Sequence, residues 1–242
     1  MTVVAAVRSL IAYLTILAYI AVAAPLALFF GVLLRWPDGM WALGHAGARL
    51  ALALAGIRYR ISGREHVPAT AVVFCSNHES NVDPPVLFEA LHRRLHILYK
   101  AELHKFPIMG TVFDVGGFVP IERNDRESAM RSIALGAESL KAGNSFLIFP
   151  EGTRSRSGQL LPFKKGGFIM AIEAQAPVVP VAISGGRAAM RKGSPIVRPV
   201  KVSVRIGKPI TTDGLTLEDR DQLIAQVRSQ VQALLDEGSL WT

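Results

Sequence analysis

The chain has 242 residues, half of them hydrophobic, with 27 basic against 19 acidic side chains, a formal net charge of +8 and one cysteine. That length supports one substantial core with an N-terminal appendage, or two small domains, and the first arrangement is the one adopted. A lone cysteine excludes an intrachain disulfide and suits a reducing compartment, while a positive balance without a basic stripe interleaved with aromatics points to an anionic lipid surface rather than nucleic acid.

Between Arg8 and Arg35 there is no Lys, Arg, Asp, Glu or His. The residues from Ser9 to Leu34 would run about 39 Å as a helix, enough to cross a hydrocarbon layer of about 30 Å with some tilt. Pro25 is a candidate kink. A cleaved signal peptide fits less well, because the stretch is about twice the usual length and lacks a small-residue cleavage pattern. Trp36-Pro37-Asp38-Gly39 reads as a break, and Met40 to Ile57, rich in Ala and Leu, as a second helix lying against the membrane or against the first helix. The first 60 residues hold five Arg and one Asp, and four of those Arg follow the apolar stretch. If the segment spans, this bias predicts that the rest of the chain faces the cytoplasm.

From Tyr59 onward the apolar runs shorten. Strands are expected at 59–61, 71–75, 96–99, 117–121, 145–149, 178–183 and 200–206, with helical periods between them, which together predict an α/β domain with a mixed or mostly parallel sheet flanked by helices. Cys75 falls on the second of these strands and reads as a small core residue. Pro84-Pro85 suits a helix start. Asn124 with Glu127 three residues on resembles a capping box, and Met130, Ile133, Ala134, Ala137 and Leu140 then form one apolar face ending before Gly143. Lys165 to Gln175 is a shorter helix that Pro177 prevents from continuing. Thr216 with Asp219 caps a last helix whose Leu223, Ile224, Val227 and Val231 share a face. Ser184 to Pro195 is the most loop-like stretch.

Two segments carry chemistry. In Asn77-His78-Glu79-Ser80-Asn81-Val82-Asp83, four residues separate a base from a carboxylate. On an ideal helix the two would not share a face, so a turn is required, in which Asp83 accepts from one imidazole nitrogen and leaves the other as a base. The alternative makes Asp83 only a helix cap and His78 a surface residue. Glu79 ranks below His78, because a carboxyl of ordinary pKa, about 4.3, is a weak base near neutrality unless its surroundings are apolar. In Phe149-Pro150-Glu151-Gly152-Thr153-Arg154-Ser155 a sharp turn presents Arg154, whose guanidinium suits a phosphate, and Glu151, which either accepts from a substrate hydroxyl or holds Arg154. Arg123, between a strand and a helix, is a second candidate cation, and Lys105 a third. There is no Gly-x-Ser-x-Gly elbow, phosphate-cradling Gly-Lys-Ser/Thr loop or dinucleotide fingerprint, and the spacing of His78, Glu79 and Asp83 matches no strong metal pattern.

Four blocks in order, Asn77 to Asp83, Gly117 to Arg123, Phe149 to Ser155 and Val179-Pro180-Val181-Ala182-Ile183, make the sequence resemble the glycerolipid acyltransferase family, most closely the bacterial 1-acyl-glycerol-3-phosphate acyltransferases, over roughly residues 58 to 210. The resemblance implies transfer of a fatty acyl group from a thioester to the sn-2 hydroxyl of lysophosphatidic acid, giving phosphatidic acid. It implies His78 as general base and Asp83 as its partner, with Arg123, Arg154 and Lys105 on the acceptor phosphate and Glu151 and Gly152 shaping the acceptor pocket. No bound cofactor or metal is implied. Acyl-CoA or acyl carrier protein is the donor substrate, and Arg187, Arg191 and Lys192 would meet its negative charge. Backbone N–H groups at the start of the helix after Asp83 are the candidate oxyanion donors. The expected partition is residues 1–57 as a membrane-associated helical segment and 58–242 as the catalytic domain, at the cytoplasmic membrane and facing the cytoplasm. Acylation of another lysophospholipid or a lipidated amino acid, and an inactive membrane adaptor of the same fold, are the alternatives.

Overall fold

A computed structural model describes residues 2–91, 94–105, 107–122, 125–155, 157–190 and 193–241. Its centre is a sheet of seven strands, β1 (Arg58–Ser62), β2 (Val73–Ser76), β3 (Leu95–Lys100), β4 (Val119–Ile121), β5 (Ser145–Ile148), β6 (Val178–Ser184) and β7 (Lys201–Ile206), in the order β1-β7-β6-β2-β5-β3-β4. All neighbours are parallel except β6 and β7. The sheet is therefore mixed and mostly parallel, as the sequence predicts.

Strands covered on both faces read as unbroken apolar runs, and the side chains of β2 show why. Phe74 points into a core shared with Leu87, Leu95, Val181 and Val204, whereas Val73 and Cys75 point into a second core with Phe146, Phe168 and Val227. Cys75 is fully buried, as expected of a small core residue.

The helices are α1 (Thr2–Leu28), α2 (Pro37–Ala55), α3 (Asp83–Ala90), α4 (Pro107–Val115), α5 (Arg126–Lys141), α6 (Gly166–Ala174) and α7 (Arg220–Asp236). Pro25 lies inside α1 without ending it, and a π-helical segment, Phe29–Leu33, continues the rod. The break between the two N-terminal helices is narrower than expected. It falls at Arg35 and Trp36, Arg35 having φ of 49°, and Pro37 then opens α2, because a proline lacks only the N–H that a first helical position leaves unpaired anyway.

Two sequence expectations fail locally. Asn124 lies outside the described residues, and the N-cap of α5 is Asp125, whose carboxylate accepts from the amides of Glu127 and Ser128 at 3.1 and 3.3 Å. Along α5 Ile133, Ala137 and Leu140 are buried, but Met130 and Ala134 face solvent, since Gly136 takes the inner position against Met170. At α7 the expected pairing of Thr216 with Asp219 is present: the Asp219 carboxylate accepts from the Thr216 amide at 2.8 Å, and Thr216 Oγ1 accepts from the Glu218 amide at 3.3 Å.

Val4 to Leu33 is long and apolar enough to cross a membrane, with a mean hydropathy of 2.4, and only 17 % of that window is buried. Leu10, Leu14, Leu17 and Ile20 stand in the open. The rest of the helix is tied down along its length. Arg8 Nε donates to the Leu54 carbonyl at 2.8 Å, the Val197 amide to Ser9 Oγ at 2.8 Å, and the Tyr13 and Tyr19 hydroxyls to the carbonyls of Pro195 and Leu43 at 2.6 and 2.7 Å. Near its far end Gly31 lies so close to Val115 of α4 that a Cβ would stand 2.6 Å away. From α2, His45 and Arg49 reach the buried carboxylate of Glu89 at 2.5 and 2.6 Å, which fixes α3 and the turn before it.

Candidate active site

β2, β5 and β6 are parallel neighbours, so the chain leaves all three at one edge of the sheet, where open α/β sheets hold their ligands. His78 follows β2, and Asp83 is the first residue of α3. The turn the sequence requires exists. Asp83 Oδ2 accepts from His78 Nδ1 at 2.8 Å and from the amides of Glu79 and Ser80 at 2.7 Å each. One oxygen thus closes the turn, caps the loop and fixes the imidazole, leaving Nε2 for a substrate proton. Asn77 anchors the start of the turn through a two-way bond to Ile183 of β6, at 2.8 Å in both directions.

Phe149, at the end of β5, stacks on the His78 ring with centroids 4.1 Å apart. The sequence places it at the end of the strand 145–149 and at the head of the third block, with no sign of a stack on His78. Glu151 is buried, and it makes two bonds that the sequence did not announce. Its oxygens accept from the backbone amides of His78 at 2.8 Å and Leu161 at 2.9 Å, so it braces the loop under the imidazole. Burial pushes its carboxyl up, and the two amides pull it back in part. The Ser155 amide donates to the His78 carbonyl at 2.8 Å, which places the half-buried Arg154 one residue away from this contact. Gly152 has φ of 68°, a conformation that favours glycine, and a Cβ there would meet the flexible end of Lys164, with Cε at 2.8 Å. Lys164, which the sequence reading passed over, thereby lies across the Arg154 loop.

Glu79 meets the condition set for it in the sequence. Burial first, then the Asp83 carboxylate, raises its pKa to about 7, against a bond from the Arg187 backbone. The Arg187 guanidinium donates to the carbonyl of Ser157, joining the loops after β5 and β6 over Glu79. Lys105 is exposed on the short turn Ala101–Lys105 that follows β3. Arg123, Arg191 and Lys192 lie outside the described residues. The expected oxyanion donors are not at the start of α3: positions 84 and 85 are prolines, and the amides of Glu79, Ser80, Asp83 and Val86 are all bonded within the turn. Among the described residues no group of three or more His, Cys, Asp or Glu is arranged to hold a metal ion.

A family model described as Acyltransferase matches residues 58–184, more than half of the chain. The chain belongs to the acyltransferase family. Among its relatives, the 1-acyl-sn-glycerol-3-phosphate acyltransferase of Limnanthes douglasii is 33 % identical over 201 residues, covering 81 % of this chain and 71 % of the relative. The human 1-acyl-sn-glycerol-3-phosphate acyltransferase alpha is 32 % identical over 188 residues, covering 77 % and 66 %. The crystal structure of the 1-acyl-sn-glycerophosphate acyltransferase PlsC from Thermotoga maritima superposes with a TM-score of 0.85 at 25 % identity, covering 100 % of this chain and 99 % of that one. The apolar N-terminal rod is thus part of the shared acyltransferase fold, since the superposition extends over it.

Proposed function

We propose that this acyltransferase moves a fatty acyl group from an acyl thioester, carried by coenzyme A or acyl carrier protein, to the sn-2 hydroxyl of 1-acyl-glycerol-3-phosphate, giving phosphatidic acid. The observation that carries the reading is the His78–Asp83 pair, with one ring nitrogen engaged and the other left for an alcohol, beside the loop of Arg154. The names of the relatives support the acceptor.

In this mechanism His78 Nε2 takes the hydroxyl proton as the oxygen attacks the thioester carbonyl. Asp83 stabilises the imidazolium, which then gives the proton to the departing thiolate as the C–S bond breaks and the ester remains. Arg154, with Arg123 and Lys105, holds the acceptor phosphate, and Glu151 and Gly152 shape the wall of its pocket. Residues 1–57 attach the enzyme to the membrane and residues 58–242 carry the chemistry, at the cytoplasmic face.

The test is thiol release by the purified enzyme with each donor, against lysophosphatidic acid and a neutral monoacylglycerol. Release should require the phosphate-bearing acceptor. His78→Ala should lose at least about 1,000-fold in kcat, in line with removal of a base from such a pair. Arg154→Ala should raise KM for lysophosphatidic acid by about 10- to 100-fold, the cost of one charge-assisted bond, with little change in kcat. Turnover by His78→Ala at the wild-type rate would refute the assignment.

A further inference from the structure

Asp83 works with one oxygen. While Oδ2 takes three hydrogen bonds, Oδ1 is buried and has no hydrogen-bond partner among the described residues. The residue walling it in is Gly186, at the start of the short turn after β6, more than a hundred positions further along the chain. A Cβ at Gly186 would stand 2.6 Å from Asp83 Oδ1, with the Ser80 Cβ and Val82 Cγ2 each at 3.6 Å. Unlike Gly185, whose φ is 90°, Gly186 has no positive φ to justify a glycine. What it supplies is space, and only against the carboxylate of the candidate base pair.

That carboxylate cannot step aside at little cost. Its other oxygen is pinned by the imidazole and two amides, so moving Oδ1 means turning the group about its own axis and pulling Oδ2 out of line with His78. Hydrogen bonds weaken with misalignment, and an imidazole that loses its partner loses its orientation toward the substrate. We propose that Gly186 is a positioning residue, whose missing side chain sets the angle at which Asp83 holds His78. The proposal rests on the reading of His78 as the base.

The experiment is a double-mutant cycle on the full chain, with Gly186→Ala placed in the wild type and in Asp83→Ala. In the wild-type background kcat should fall by about 10-fold or more, while KM for donor and acceptor stays within about 2-fold, the pattern of a lost transition-state alignment. In the Asp83→Ala background the added methyl has no oxygen to displace, and the same substitution should change residual kcat and the thermal midpoint hardly at all. An equal loss in both backgrounds, or no loss in the wild type, overturns the proposal. If Gly186→Ala does not fold, the double variant decides: folded protein recovered in the Asp83→Ala background supports the contact, and failure in both overturns it. A wild-type protein that transfers no acyl group would instead remove the functional reading, and the thermal midpoints of the same four proteins would still report whether residue 186 acts through Asp83.

Discussion

The carboxyl of Glu79 has a pKa of about 7, raised first by burial and then by the Asp83 carboxylate beside it. The folded protein therefore keeps a proton that the unfolded chain has lost between the ordinary value of 4.5 and about 7, so this group makes stability fall as pH rises through that window. Glu79→Gln remains neutral throughout. It should be more stable than the wild type by about 1 to 3 kcal/mol at pH 8, an advantage that vanishes near pH 4.5, as read from thermal midpoints across that range. Identical pH dependence in the two proteins would contradict the assignment. Transfer should survive in Glu79→Gln, because the base is next to it. The His78–Asp83 turn was legible because both residues sit in one short local pattern. The bracing bond of Glu151 was illegible: it reaches the His78 amide across 73 positions, and a side chain clamping a distant backbone leaves no periodic trace in a sequence. Gly186 was illegible for the same reason, since its size answers to an oxygen on another element.

The central strands β2, β5 and β6 were readable because burial on both faces makes each a nearly continuous apolar run, whereas β1 and β7, Arg58–Ser62 and Lys201–Ile206, showed themselves by alternation of polar and apolar residues. α4 was not readable. Its nine residues include Gly110 and the β-branched Ile108, Thr111, Val112 and Val115, all poor helix formers, and it is held by packing on α1 and on the turn before it. The start of α5 shows the reverse case, a cap that was expected but is one residue displaced. Asp125 satisfies two otherwise unpaired amides and bonds the Ser128 hydroxyl at 2.5 Å. Asp125→Ala should cost about 0.5 to 2 kcal/mol in a denaturant titration, whereas replacing it with Asn should cost much less. Equal losses for the two would show that the cap is not what the side chain contributes.

α1 leaves a row of leucines in the open, and each large aliphatic side chain gains about 1.5 to 3 kcal/mol on leaving water, so the rod as a whole favours an apolar phase. Yet its beginning is bonded to the segment at Pro195 and Val197, and its end packs on α4. Both ends are held by the same body that carries His78, so a rod that enters lipid from this arrangement does so together with that body. A protease-sensitive tag ahead of Arg8 should be cut from the side on which the rest of the chain is exposed, in sealed vesicles carrying the enzyme on their outer surface. Protection of the tag there would mean that the rod crosses the bilayer. The single cysteine offers a way to measure depth. Burial first, and the Glu151 charge second, push the Cys75 thiol well above its usual range, and its sulfur is fully enclosed. Maleimides and nitroxide reagents would pass it by, so a second cysteine introduced at Leu10, Leu14 or Leu17 becomes a uniquely addressable handle, and the immersion of each label can be read without first deleting the native sulfur.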